Sequence, residues 1–127
     1  MFRSTFPEHL QELTSGGTLR LMTLLAGNLF FNILANASFK YSALSPGWRG
    51  FLSWQIVGNL AGLITVLTLT GLLRLIPLHI AYPLTAGLAV IGVQVVAARM
   101  LFAESITTPQ WIGTLFIITG IALISGR

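Results

Sequence analysis

The sequence contains no cysteine and very little charge. The absence of cysteine excludes disulfides, thiolate metal ligands and a cysteine nucleophile. Charged residues make up 8% of the chain and hydrophobic residues 54%, whereas an average soluble domain has about 25% charged residues. The composition therefore predicts an integral membrane protein.

Acidic residues are especially scarce, since three acids stand against seven lysines and arginines, for a formal net charge of +4. The basic residues are scattered and form no run, so we do not expect a nucleic-acid partner. We expect these residues to contact anionic lipid at the membrane surface. The two histidines, His9 and His79, stand apart near the ends of apolar segments. With no metal-ligand constellation and no nucleophile–base pair, we expect neither an enzyme nor a resident metal or cofactor.

Four apolar segments are long enough to cross a bilayer, and they cover residues 19–41, 51–73, 78–102 and 110–125. Together they predict an all-α membrane protein whose transmembrane domain is residues 19–127. Residues 1–18 have no signal-peptide pattern and are interpreted as an interfacial segment or a partner-docking element. Basic residues fall almost equally on both sides of the four segments, so the sequence leaves open whether the N-terminus is inside or outside.

The first apolar segment carries a row of polar residues at four-residue intervals, namely Asn28, Asn32, Asn36 and Lys40. Each interval advances about 40° around an α-helix, so the four side chains form one stripe about 18 Å long. A polar stripe in hydrocarbon is costly unless it faces protein or water, and we interpret it as the lining of a substrate path. The alternatives are that the amides bond neighbouring helices together and that Lys40 only anchors the helix end.

The second and third segments offer further polar and small residues. Gly58 and Gly62 form a small-xxx-small pair, and Asn59 projects near that pair, which predicts a partly polar face packed against the first helix. Tyr82 begins a row of small residues on the third segment, and Pro83 near its start predicts a kink or local unwinding that borders a cavity.

The fourth segment has a narrow ridge formed by Gly113, Ile117, Gly120 and Ile124. Small residues at this spacing favour close contact between helices, and we predict that the ridge is a dimer interface. Four helices are few for a transporter, because alternating access usually needs two repeats around a central site. The second repeat is expected from an identical chain or a related four-span subunit.

Four short motifs occur in order along the chain: Lys-Tyr-Ser at residues 40–42, IPLHIAY at 76–82, AGLA at 86–89 and GTLFIITG at 113–120. Together they resemble the small multidrug resistance family, the four-span members of the drug/metabolite transporter superfamily. The resemblance implies a dimeric four-helix transporter. Two positions depart from the family pattern: the glutamate that exchanges protons would fall at Asn32, and a cage-forming tryptophan at Thr85. Because an amide does not titrate, proton-coupled cation export is not expected at Asn32.

A second branch of that superfamily is more similar, the subunits that flip aminoarabinose-phosphoundecaprenol across the bacterial inner membrane. The similarity lies in Ile-Ala-Tyr-Pro at residues 80–83 and in a Glu104, Trp111, Gly113 pattern followed by Phe-Ile-x-x-Gly-Ile at 116–121. It implies a multi-pass protein of the bacterial cytoplasmic membrane whose amides bind a glycan headgroup and whose Lys40 binds phosphate.

The leading hypothesis is therefore a transporter that flips a lipid-linked, polyprenyl-phosphate sugar or a similar phosphate-bearing headgroup. The alternatives are a small-molecule or cation exporter of small multidrug resistance type, and an accessory membrane subunit that does not transport. The predicted substrate-binding residues are Asn28, Asn32, Asn36, Lys40, Asn59, Tyr82, Thr85 and Glu104.

Overall fold

The computed structural model describes residues 17–125, which form helices and no strand. The helices are α1 (Thr18–Leu44), α2 (Trp48–Leu73), α3 (Leu78–Gly92, continued as a π-helix over Val93–Leu101) and α4 (Thr108–Ser125). Each is long and apolar enough to cross a membrane. The chain is thus an all-helical, multi-pass membrane protein. An interfacial segment was predicted for residues 1–18, and residues 1–16 of it lie outside the described residues.

Proline and glycine residues set the helix boundaries. Pro77 has an extended backbone immediately before α3, and Pro109 occupies the first turn of α4, where its missing N–H has no intrahelical partner to lose. Regular α-helical winding continues through Pro83 as far as Gly92, and the irregular segment begins only at Val93. The irregularity of α3 is therefore a change to π-helical winding further along the helix and not an unwinding at Pro83, because a proline close to a helix start removes only one backbone hydrogen bond.

Successive helices run in opposite directions. α1 and α2 make the most extensive pair, with Leu24 against Gly71 near one end and Ser42 Oγ donating to Phe51 O at 2.8 Å near the other. α3 contacts both of these helices, and α4 packs mainly on α3. The buried apolar positions are mostly alanines, whereas most of the large apolar side chains are exposed. This arrangement suits a membrane, where small residues let helices approach and bulky ones face lipid.

Glycines mark two of the closest helix contacts. A Cβ atom on Gly58 would overlap the ring of Phe39, and one on Gly87 would overlap the side chain of Ile121. At Gly113 and Gly120 a Cβ would meet no atom of the described residues within 4 Å. The two glycines of the predicted dimer ridge therefore have open space above them. Ile117 of the same ridge lies 3.6 Å from the Cβ position of Gly87, so it belongs partly to the contact between α3 and α4.

Candidate functional site

A cavity of about 820 Å³ lies between α1, α2 and α3 and extends to the loop before α4. This volume is in the range of cavities that bind small molecules. Its lining comprises Asn28, Asn32, Asn36, Thr65, Val66, Leu69, Tyr82, Thr85, Ala86, Ala89, Val90, Val93, Gln94, Ala98, Glu104, Ser105, Ile106 and Gln110. Three transmembrane helices thus border an open cavity that many polar side chains line.

Asn28 is the most buried amide of the cavity, with 3% of its surface exposed. Its Nδ2 donates to Thr65 O at 2.9 Å and to Thr68 Oγ1 at 3.0 Å, both on α2. Its Oδ1 accepts a longer hydrogen bond, 3.4 Å, from Nδ2 of Asn32. Asn28 therefore joins α1 to α2 and orients the next amide of the stripe, because both of its N–H groups are already used.

Asn32 and Asn36 retain more hydrogen-bonding capacity. Asn36 Nδ2 donates to the backbone oxygen of Asn32 at 2.9 Å, within the same helix. Asn32 is half-buried and Asn36 exposed, and both line the cavity. Within the described part of the chain, no side-chain hydrogen bond reaches the Oδ1 atom of either residue. Each therefore offers a free acceptor oxygen and one free N–H to a molecule in the cavity.

The α3 wall is lined with small side chains. Ala86 and Ala89 leave open space opposite the asparagines, and Tyr82 at the start of this wall is 60% exposed. Thr85 is buried, and its Oγ1 donates to Ala81 O at 2.9 Å and lies 3.2 Å from Tyr82 O. The helix thus satisfies the Thr85 hydroxyl itself. The Tyr82 hydroxyl makes no hydrogen bond to any other group in residues 17–125.

An ion pair lies at the end of the cavity near the loop before α4. Lys40 Nζ is 3.2 Å from Glu104 Oε2, and both side chains are about half exposed, 44% and 45%. Glu104 lines the cavity, whereas Lys40 lies beside it, 6.0 Å above the ring of Phe102. In residues 17–125 no group of three or more His, Asp or Glu side chains could hold a metal ion. The cavity end therefore contains a neutralised carboxylate.

The end of α3 positions Glu104. The π-helical segment ends with a hydrogen bond from Phe102 N to Ala97 O at 3.0 Å, and Ala103 then adopts a left-handed backbone with φ of 51°. Glu104 N donates back to Ala98 O at 2.8 Å, which closes the end of the helix. A left-handed residue costs about 1–2 kcal/mol for any side chain larger than glycine, so the surrounding structure holds this conformation against strain.

The sequence analysis missed four polar residues of the cavity: Thr65, Gln94, Ser105 and Gln110. Gln94 follows Ala86 and Val90 at four-residue intervals, and Ala98 follows Gln94 at the same interval. All four residues line the cavity, because residues four apart lie on nearly the same side of a helix. The four-residue spacing could therefore have indicated Gln94, whereas no signal in the sequence indicated the π-helical winding over Val93–Leu101.

Of the eight predicted substrate-binding residues, six line the cavity: Asn28, Asn32, Asn36, Tyr82, Thr85 and Glu104. Lys40 reaches it only through its contact with Glu104. Asn59 lies outside the lining and donates to Gln55 O at 2.7 Å, on its own helix. The cavity thus gathers most of the predicted residues from α1 and α3, and its wall on α2 comes from residues 65–69 instead.

Comparison of the chain with protein-family models, with curated proteins and with solved structures finds no match. The functional argument therefore rests on the cavity itself.

Proposed function

We propose that this protein is a transporter of the bacterial cytoplasmic membrane that moves a polar, phosphate-bearing lipid headgroup, such as a polyprenyl-phosphate sugar, between the two faces of the bilayer. The observation that carries the proposal is the row of amides facing a cavity between transmembrane helices. Polar groups at this depth are costly, so a cavity lined with them is best explained by a polar occupant.

The asparagines fit a hydroxyl-rich headgroup. Asn32 and Asn36 each offer an acceptor and a donor, and a sugar hydroxyl both donates and accepts. Asn28 keeps α1 and α2 in place through its bonds to Thr65 and Thr68. No carboxylate lies in the stripe, so this route moves its substrate without exchanging a proton at the position of Asn32.

The role of Lys40 is to hold the phosphate beside the cavity end. Its ammonium is about half exposed and already pairs with Glu104, so a phosphate would share or replace that carboxylate. Such an exchange is feasible because exposed ion pairs contribute only about 0–1 kcal/mol. Glu104 then also orders the loop through which the headgroup leaves.

We further propose that the active unit is a dimer of the drug/metabolite transporter type, with an identical or related subunit. Gly113 and Gly120 support this arrangement, since a neighbouring helix would find open space above both glycines. A second subunit would supply the other half of an alternating-access pathway.

A small-molecule or cation exporter is the second candidate, and the position of Glu104 in the cavity lining favours it. In that case Glu104 would bind the cation directly, and Lys40 would compete with it. Glu104→Gln separates the two functions: it abolishes cation export, whereas flipping of a sugar-phosphate lipid by Asn32 and Asn36 persists at a reduced rate.

The direct test is transport by the purified chain in lipid vesicles that contain a polyprenyl-phosphate hexose. Exposure of the hexose on the outer leaflet is followed with periodate, which oxidises vicinal diols and does not cross the membrane. We expect the wild-type protein to expose hexose from the inner leaflet. Asn32→Ala and Lys40→Ala should each lower the initial rate about tenfold, because each removes a contact with the headgroup.

The matched control is Thr119→Val, since Thr119 is exposed on α4 and, within residues 17–125, its hydroxyl donates only to Leu115 O of its own helix. This variant should transport like the wild type. Normal transport by folded Asn32→Ala and Lys40→Ala would show that the headgroup passes elsewhere. No transport by the wild-type chain alone would instead favour an accessory subunit of a larger membrane complex.

A further inference from the structure

The loop between α3 and α4 lies along one end of the cavity. It comprises residues 102–107, which have no helical structure, and we call it the end loop. Glu104, Ser105 and Ile106 follow one another in the end loop, and all three line the cavity. A short irregular segment makes fewer contacts than the helices around it, so it is the part of the cavity wall that moves most easily.

Two contacts connect the end loop with α1. Lys40 Nζ lies 3.2 Å from Glu104 Oε2, and the ring centroids of Tyr41 and Phe102 are 4.9 Å apart. The ring contact lies where the loop leaves α3, whereas the ion pair holds the part of the loop that lines the cavity. Glu104 is the one acidic residue among residues 17–125, so within them no other carboxylate can take its place beside Lys40. The ion pair is thus the contact that holds the loop in its observed position against α1.

The backbone of the end loop opposes this position. Ala103 has a φ of 51°, in the left-handed region that is strained for residues other than glycine. Helices often end in a left-handed residue, but that residue is usually glycine. An exposed ion pair is weak, and its contribution is no larger than strain of this kind. The observed position of the loop is therefore close to balance, and loss of the ion pair would let the loop move.

We propose that the end loop is a lid over this end of the cavity, and that a phosphate opens the lid by displacing Glu104 from Lys40. This inference rests on the proposed function and adds its regulation. A phosphate and the Glu104 carboxylate compete for the same ammonium group, and two anions side by side repel each other. The headgroup thereby opens the end of the cavity through which it passes, and the lid stays closed when the cavity is empty.

The experiment follows hydrogen exchange of the Glu104 backbone N–H by NMR, with the full chain in lipid bicelles. In the closed lid this N–H donates to Ala98 O at 2.8 Å, so its exchange rate reports how often the loop opens. The reference is the Ala81 N–H, which donates to Pro77 O at 2.9 Å at the other end of α3. Its rate should stay the same in every variant and with every probe.

Two substitutions in the end loop should shift the exchange rate at residue 104 in opposite directions. Glu104→Gln should raise it about threefold, because it removes the charge that pairs with Lys40. Ala103→Gly should lower it about fivefold, because glycine adopts the left-handed conformation without strain. Arg49→Gln is the control, since Arg49 is exposed at the same end of the molecule, and should leave the rate unchanged. Unchanged rates in both loop variants, or shifts in the same direction, would overturn the lid.

Two phosphate probes test the opening step. Polyprenyl phosphate in the bicelles should raise the wild-type rate at Glu104 about threefold and have no effect on Lys40→Gln, which lacks the ammonium group. Inorganic phosphate in the buffer is the second probe. Acceleration by either supports the opening step, and the probe that acts at the lower concentration shows whether a lipid headgroup or free phosphate is the better ligand. A wild-type rate that neither probe changes would overturn the opening step. The proposed function fails separately, by absence of hexose flipping in the vesicle assay.

Discussion

Asn28 and Asn36 are on the same side of α1, eight residues apart, and make different contacts. Asn28 is buried and donates to two oxygens of α2, whereas Asn36 is exposed to the cavity and bonds within α1. The four-residue spacing predicted a single stripe, and six of the eight predicted binding residues do line one cavity. The spacing could not tell which amide holds helices together, because that depends on partners such as Thr68 that are remote in sequence.

The two asparagines should therefore differ in their contribution to stability. Asn28→Ala is expected to lower the free energy of unfolding by about 1 kcal/mol, since it removes two hydrogen bonds between α1 and α2. Asn36→Ala should change the free energy of unfolding by less than about 0.5 kcal/mol, because it breaks no contact between helices. Reversible unfolding in mixed detergent micelles measures both values. Equal losses in the two variants would contradict the division of roles.

At the scale of the helices, length and hydropathy predicted four spans that agree with the observed helices to within a few residues at most boundaries. The π-helical winding of Val93–Leu101 was not predictable, because no proline or glycine within the segment marks it. The importance of individual glycines was not predictable either. Gly58 and Gly87 lie against side chains of other helices, whereas Gly62 has open space around it, and only the three-dimensional packing distinguishes them.

The contact between α3 and α4 depends on Gly87. Gly87→Val is expected to lower the free energy of unfolding by about 1–3 kcal/mol, because the added side chain overlaps Ile121. Ile121→Ala in the same chain should recover about 1 kcal/mol of that loss, since it removes the overlapping atoms. A thermodynamic cycle of the two single variants and the double variant measures this coupling. Additive effects of the two substitutions would show that the helices do not meet at these residues.

At the scale of the whole molecule, α4 stands apart from the cavity for most of its length. It packs on α3, and the cavity lining includes only Gln110 from its first turn. Residues 17–125 therefore leave much of α4 uncovered, and the open glycines lie on a different side of the helix from the exposed Ala122. The proposed dimer would use this free surface and leave the cavities accessible.

The dimer proposal can be tested with bulky substitutions on α4. Gly113→Leu and Gly120→Leu should shift the protein from dimer to monomer without loss of fold, because a Cβ atom at either position meets no side chain of the described residues within 4 Å. Ala122→Leu lies about half a turn away from Gly113 around the helix and is the matched control. Cross-linking in native lipid gives the dimer fraction. If the glycine variants and Ala122→Leu have the same dimer fraction, the interface lies elsewhere or does not exist.

The central claim is that the amides of α1 contact a polar headgroup inside the membrane. A density map of the purified protein in nanodiscs that contain the polyprenyl-phosphate hexose tests it most directly. We expect headgroup density beside Asn32 and Asn36, within hydrogen-bonding distance of their side chains, and the polyprenyl tail leading out between the helices. Acyl chains or a helix of another subunit filling the cavity, with the hexose bound elsewhere, would contradict the account.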